Sequence, residues 1–154
     1  VDRVEGFRTP PSMYTHIGKR VPAHCTALGK AMLAHLSSAT VADILARRGM
    51  RQMTPRTIVT PQALAQELER IHERGFAVDD EEIEVGIRCI AAPIRDNTGA
   101  VCAAVSISGP KTRVCAERET ELSESVIWAA NLISTKLGYR GEEYPRVERM
   151  PIIT

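Results

Sequence analysis

The sequence predicts an α+β fold, an antiparallel sheet with helices packed against it. Two apolar runs, Ile87 to Ile94 and Val101 to Ser108, flank Arg95-Asp96-Asn97-Thr98-Gly99-Ala100, a turn-forming cluster of the kind that closes antiparallel strands. Elsewhere, apolar residues recur every three to four positions behind recognisable helix caps. The chain has 154 residues and 44% hydrophobic content, enough to bury one core, so a single domain is expected.

A hairpin turn centred on Asn97 and Thr98 sets Cys89 opposite Ser106, Ile87 opposite Ser108 and Ala91 opposite Ala104. Side chains alternate across a strand. One face therefore carries Arg88, Ile90, Ala92 and Ile94 with Val101, Ala103, Val105 and Ile107, and reads as core. The other carries Ile87, Cys89, Ala91 and Pro93 with Cys102, Ala104, Ser106 and Ser108. Its side chains are mostly small, with two hydroxyls and thiols among them. They either leave a cavity for a small ligand or make room for a close-packed helix.

Upstream, Thr9-Pro10-Pro11-Ser12 breaks any helix, so Val1 to Lys19 is expected to be extended or looped. Thr26 caps a helix starting near Ala27, whose first turn contains Gly29 and no acidic residue. Such a start presents free backbone N–H groups at the positive end of the helix dipole. A second helix runs from Ser38, its cap, to Arg48 and stops at Gly49; a third opens at Thr60-Pro61 and ends at Gly75. Phe76 to Asp79 is expected to be a strand, and Asp80, Glu81 and Glu82 a solvated loop. From Ala116, a long helix with a stripe of Leu122, Val126, Ala130, Ile133 and Leu137 runs to Gly138. Residues 141–154, rich in Gly and Pro, are expected to be a tail.

Twenty basic against nineteen acidic side chains give a formal charge of +1, with no cluster of Lys and Arg long enough to track nucleic-acid phosphates. No apolar run reaches membrane-spanning length, and no leader peptide is evident, so a cytoplasmic location and no membrane partner are expected. The four cysteines form no CxxC pair and lack zinc-site spacing; they are expected to be free thiols, and no metal or cofactor is expected. The chain begins at Val1 rather than Met, which fits a fragment of a longer protein.

The segment GFAVDDEEIEVGIRCIAAPIRDNTGAVCAAVSISGP, with VPAHCTALGKAMLAHL upstream, resembles the effector-binding C-terminal domain of the IclR family of bacterial transcription regulators. The likeness spans nearly the whole chain and fades after about Gly138. It implies a GAF-like curved antiparallel sheet with flanking helices, over residues 1–140. It also implies that DNA is bound only through an N-terminal winged helix-turn-helix domain missing from this chain, and that the protein is a homodimer or tetramer. The implied effector-binding residues are the backbone amides of Ala27 and Leu28, then Asp79, Cys89, Ser106 and Ser108, with Met13 and Ile87 on the apolar wall. Lys30 is expected to be structural or solvent-facing.

The expected function is sensing of a small carboxylate or aromatic acid, with no catalytic residues. A protonated Asp79 would donate to an anionic ligand, and an ionised one would accept from a ligand hydroxyl; the sequence leaves both open. Two rivals stand beside it. One is an enzyme with Cys89 as nucleophile, which needs a group to prepare the thiolate. The other is a structural oligomerisation module with a filled interior.

Overall fold

The computed structural model of the chain describes residue 18 and residues 20–141. Met13, the N-terminal extended segment and nearly all of the expected tail lie outside the described residues. After a 3-10 turn, Ala23–Cys25, come α1 (Ala27–Leu33), α2 (Ser38–Arg48) and α3 (Pro61–Arg74). The sheet follows as β1 (Ala77–Asp80), β2 (Ile87–Arg95) and β3 (Val101–Pro110); α4 (Glu119–Lys136) closes the order after a second 3-10 turn, Ala116–Arg118. The strands are antiparallel in the order β1-β2-β3, so the architecture is α+β, as the sequence predicts.

The helices form where their caps dictate. Thr26 Oγ1 accepts from the Gly29 amide at 3.2 Å, and Thr60 Oγ1 from the Ala63 amide at 3.3 Å with Pro61 in the first turn. Gly75 ends α3 in the left-handed region at φ 81°, which a residue without Cβ adopts freely. The cap of α2 is Ser37, not the expected Ser38: its hydroxyl accepts from the Thr40 amide at 3.2 Å. That places the cap three residues before its amide donor, the usual spacing.

The sheet is sandwiched between helices. On one face Ala77 and Ala91 pack with Ala27, Ala31 and Leu33 of α1 and Leu64, Leu68 and Ile71 of α3. On the other, Ala92 and Ile94 meet Val126 and Ala130 of α4, while Ile90 meets Val114 and Leu122. Burying a side chain such as Leu64 or Ile71 contributes about 1.5–3 kcal/mol, so α3 is firmly anchored. By contrast, α2 buries no residue and only leans on the cluster through Val41, Ile44 and Leu45.

From Ala103 onward the faces are as expected, but the register is not, and Val101, expected on the core face, pairs with Arg95 across the bulge and so falls on the opposite face. Cys89 lies opposite Ser108 rather than Ser106, Ala91 opposite Ser106, and Ile87 opposite Pro110, a displacement of two residues. Two local features cause it. The loop is five residues long, closed by the Asp96 amide donating to the Ala100 carbonyl at 2.9 Å with Gly99 at φ 87°. A bulge then falls between Ile94 and Arg95. Each adds one residue, and together they preserve the parity that assigns side chains to faces. The freed Arg95 amide is taken by Ser134 Oγ of α4 at 2.9 Å, and that hydroxyl donates to the Ala130 carbonyl at 2.7 Å.

The buried stripe of α4 also differs from expectation. Leu122, Val126 and Ala130 face the sheet, but the stripe continues through Ser134, leaving Ile133 and Leu137 exposed. Docking Ser134 on the bulge turns the last helical turns away from the apolar spacing.

Candidate functional site

The face toward α1 gathers most of the polar groups that the sequence singles out. Asp79 lies opposite Cys89, and Cys89 opposite Ser108, so the three form one row across the three strands. A second row, Ala77, Ala91 and Ser106, lies beside it toward the hairpin loop. Adjacent strands are about 4.8 Å apart, so neighbours in a row are within contact, and the Ser108 hydroxyl beside the Cys89 sulfur favours the thiolate slightly against its burial. The row is graded: Asp79 is buried, Cys89 half-buried and Ser108 exposed, so it opens toward solvent at β3. Ile87 lies on the same face, half-buried, where β2 begins.

Helix α1 packs over this face. Its first residue, Ala27, is buried, while Leu28, Cys89 and Ala104 are half-buried against the same cluster. Close approach explains Gly29. A Cβ there would lie 2.3 Å from the Ala23 carbonyl oxygen and 2.4 Å from its Cα, where no backbone can yield. Thr26 completes the turn by donating to the Pro22 carbonyl at 3.2 Å.

Asp79 is held from below. Its Oδ1 accepts from the Glu82 amide at 2.8 Å. Between them the chain reverses at Glu81, a non-glycine residue at φ 62°. Four contacts hold that conformation: the Glu81 amide donates to the Ile87 carbonyl at 3.0 Å, its carbonyl accepts from Thr54 Oγ1 at 2.6 Å, and its carboxylate meets the Gly86 amide at 2.8 Å and Lys111 at 2.5 Å. Thr57 Oγ1 donates to the Glu82 carbonyl at 2.6 Å.

The acidic run is therefore not a solvated loop. Glu82 turns inward, buried, and its Oε1 is ion-paired with Lys30 of α1, which is 1% exposed. Asp80 and Glu81 join Arg56, Arg88 and Lys111 in a half-buried network. Sequence reasoning set Lys30 aside, although it shares a helix face with Ala27 and Ala31. A cation in a buried stripe needs an acidic partner, and that was the available signal. Thr54 and Thr57 gave none.

The electrostatics follow from burial. Desolvation pushes the Asp79 carboxyl up to about 7, aided by the Glu82 charge and opposed by the Glu82 amide and Lys30. Burial and then Asp79 push the Cys89 thiol up to about 12; burial does the same to Cys25, next to the same acids. A nucleophilic thiol needs the opposite shift. Among the described residues, no group of His, Cys, Asp and Glu is arranged to hold a metal ion, and no helix is long and apolar enough to cross a membrane. A separate apolar groove of about 460 Å³ lies between the end of α1, α2 and α3.

Residues 1–135 match the family model described as bacterial transcriptional regulator IclR, C-terminal. The chain belongs to this family. It is 41% identical over 128 residues to the HTH-type transcriptional repressor AllR of Salmonella typhi and of Escherichia coli K12. That stretch is 83% of this chain and 47% of the repressor, so the chain spans about half the length of the curated relatives it matches. Among solved structures, the Thermotoga maritima IclR superposes with a TM-score of 0.83 at 40% identity, covering 90% of this chain and 56% of that one. The Agobacterium tumefaciens repressor BlcR gives 0.79 at 34% identity, covering 86% and 52%. The inducer-binding domain of PobR from Acinetobacter, a double mutant in complex with 3-hydroxybenzoic acid, gives 0.74 at 25% identity, covering 84% and 74%. AllR, BlcR and PobR are transcription regulators.

Proposed function

We propose that this domain is the effector sensor of a transcription regulator, binding a small organic acid between the first turn of α1 and the Asp79, Cys89 and Ser108 row. The observation that carries the reading is that row itself, three polar side chains in register across three strands beneath a helix start. The ligand carboxylate accepts from the Ala27 and Leu28 amides and from the Ser106 and Ser108 hydroxyls. Asp79, titrating near neutrality, donates a hydrogen bond when protonated. Met13 and Ile87 supply the apolar wall, and residues 1–140 form the sensing domain with 141–154 as a tail.

Occupancy reaches DNA only through unequal affinity for two arrangements of the protein. In this reading a cytoplasmic homodimer or tetramer shifts its subunits and moves a separate N-terminal DNA-binding domain. Exposed Leu132, Ile133 and Leu137 on α4 favour such assembly.

Thermal-shift screening of a carboxylic-acid panel that includes 3-hydroxybenzoate tests the proposal. At least one acid raises the melting temperature, and Ser106→Ala with Ser108→Ala removes the rise. A panel with no rise, or one that persists in the double variant, sinks the assignment and favours a purely structural module.

A further inference from the structure

We propose that Lys30 and Glu82 are positioning residues of the effector site: their buried ion pair ties α1 to the β1–β2 connection and so fixes where the Asp79 carboxyl points. The inference rests on reading this face as the effector site, but its geometry stands independently. Lys30 is 1% exposed and Glu82 7%. The pair joins the helix whose first turn borders the face to the residue whose own amide grips Asp79 Oδ1 at 2.8 Å. Glu82 is also gripped from behind by the Thr57 hydroxyl at 2.6 Å on its carbonyl. Its Oε1 is ion-paired with Lys30, while its second carboxylate oxygen, Oε2, is buried without a hydrogen-bond partner among the described residues. Burying such a pair adds little net stability, and in some proteins its return is a defined arrangement of the parts it joins. Here those parts are the two sides of the proposed pocket.

The charged and titratable groups facing Asp79 are Lys30 from α1, Cys25 from the first 3-10 turn, Cys89 from β2 and Glu82 from its own connection. An NMR titration of the ligand-free chain, following the Glu82 amide, reads the arrangement directly. An amide bonded to a carboxylate shifts as that carboxylate ionises, so the native chain shows a step with its midpoint near neutrality. In Glu82→Gln the Lys30 charge falls uncompensated on Asp79, and the midpoint drops by about one unit. In the double variant Lys30→Met, Glu82→Met, which leaves no buried charge unpaired, the amplitude of the step falls by more than about half while the rest of the spectrum is retained. Either result supports the proposal, and Glu82→Gln tests it even where the double variant does not fold. An unmoved midpoint in folded Glu82→Gln, or a full step in the folded double variant, overturns it. No ligand enters the measurement, so these outcomes are separate from whether any acid binds.

Discussion

Cys89 on β2 lies directly across from Asp79 on β1, and the Asp79 charge disfavours ionisation of the Cys89 thiol. Replacing Asp79 with Asn therefore lowers the Cys89 thiol from about 12. Burial is the larger cause, so the thiol stays above the ordinary range for cysteine. The pH dependence of Cys89 alkylation, read by mass spectrometry, checks this. Fast alkylation of native Cys89 at neutral pH contradicts the assignment and revives the nucleophile reading.

Asp79 also makes stability depend on pH. Its carboxyl is raised from 3.8 to about 7 in the folded state, so between those values the folded chain binds more protons than the unfolded one. Stability then falls as pH rises from about 4 to 7 and levels off above it, a loss of up to ~4 kcal/mol from this one group. Asn keeps an oxygen for the Glu82 amide but carries no charge. Urea unfolding at pH 5 and pH 8 should show the native chain losing stability at the higher value and Asp79→Asn losing much less.

In the proposed effector site the same proton would govern ligand binding. If an acid binds with Asp79 protonated, its affinity is flat below the Asp79 midpoint and falls by up to about tenfold per pH unit above it. Calorimetry across that range in two buffers of different ionisation enthalpy detects the proton uptake. Affinity that is constant to pH 9 contradicts it.

Gly29→Ala forces a methyl into the Ala23 backbone. The 3-10 turn and α1 must separate, at a cost of about 1–3 kcal/mol. A lowered melting temperature together with weakened effector binding is expected, because the displaced turn carries Ala27 and Leu28.

Ser134→Ala strips the Arg95 amide of its acceptor at the bulge. Losing that hydrogen bond costs about 0.5–1.5 kcal/mol, and faster hydrogen exchange at Arg95 than at Ile94 locates the loss.

The sequence made the caps at Thr26 and Thr60 legible, because a hydroxyl three residues before an amide is a local signal. It also made legible which face the strand residues beyond the bulge take, because alternation is local; Val101, on the loop side of the bulge, was misplaced. The pairing across the hairpin was not: the two extra residues lie in loop and bulge geometry, and the residue that stabilises the bulge comes from Ser134, 39 positions away. Non-local partnership hid the rest of the site as well. Lys30 and Glu82 are 52 residues apart, and each looked ordinary in its own neighbourhood, one a helix lysine and the other part of an acidic run.

The cancelling pair of insertions in the hairpin exposes a weakness that evolution or an engineer could exploit. Deleting one residue between Asp96 and Ala100 while Ser134 still holds the bulge would rotate β3 by one position, turning Ser106 and Ser108 toward α4 and bringing Val105 and Ile107 beneath α1. The chemistry presented to a ligand is thus set partly by a count of residues at the opposite end of the strand, in a surface turn that never meets it.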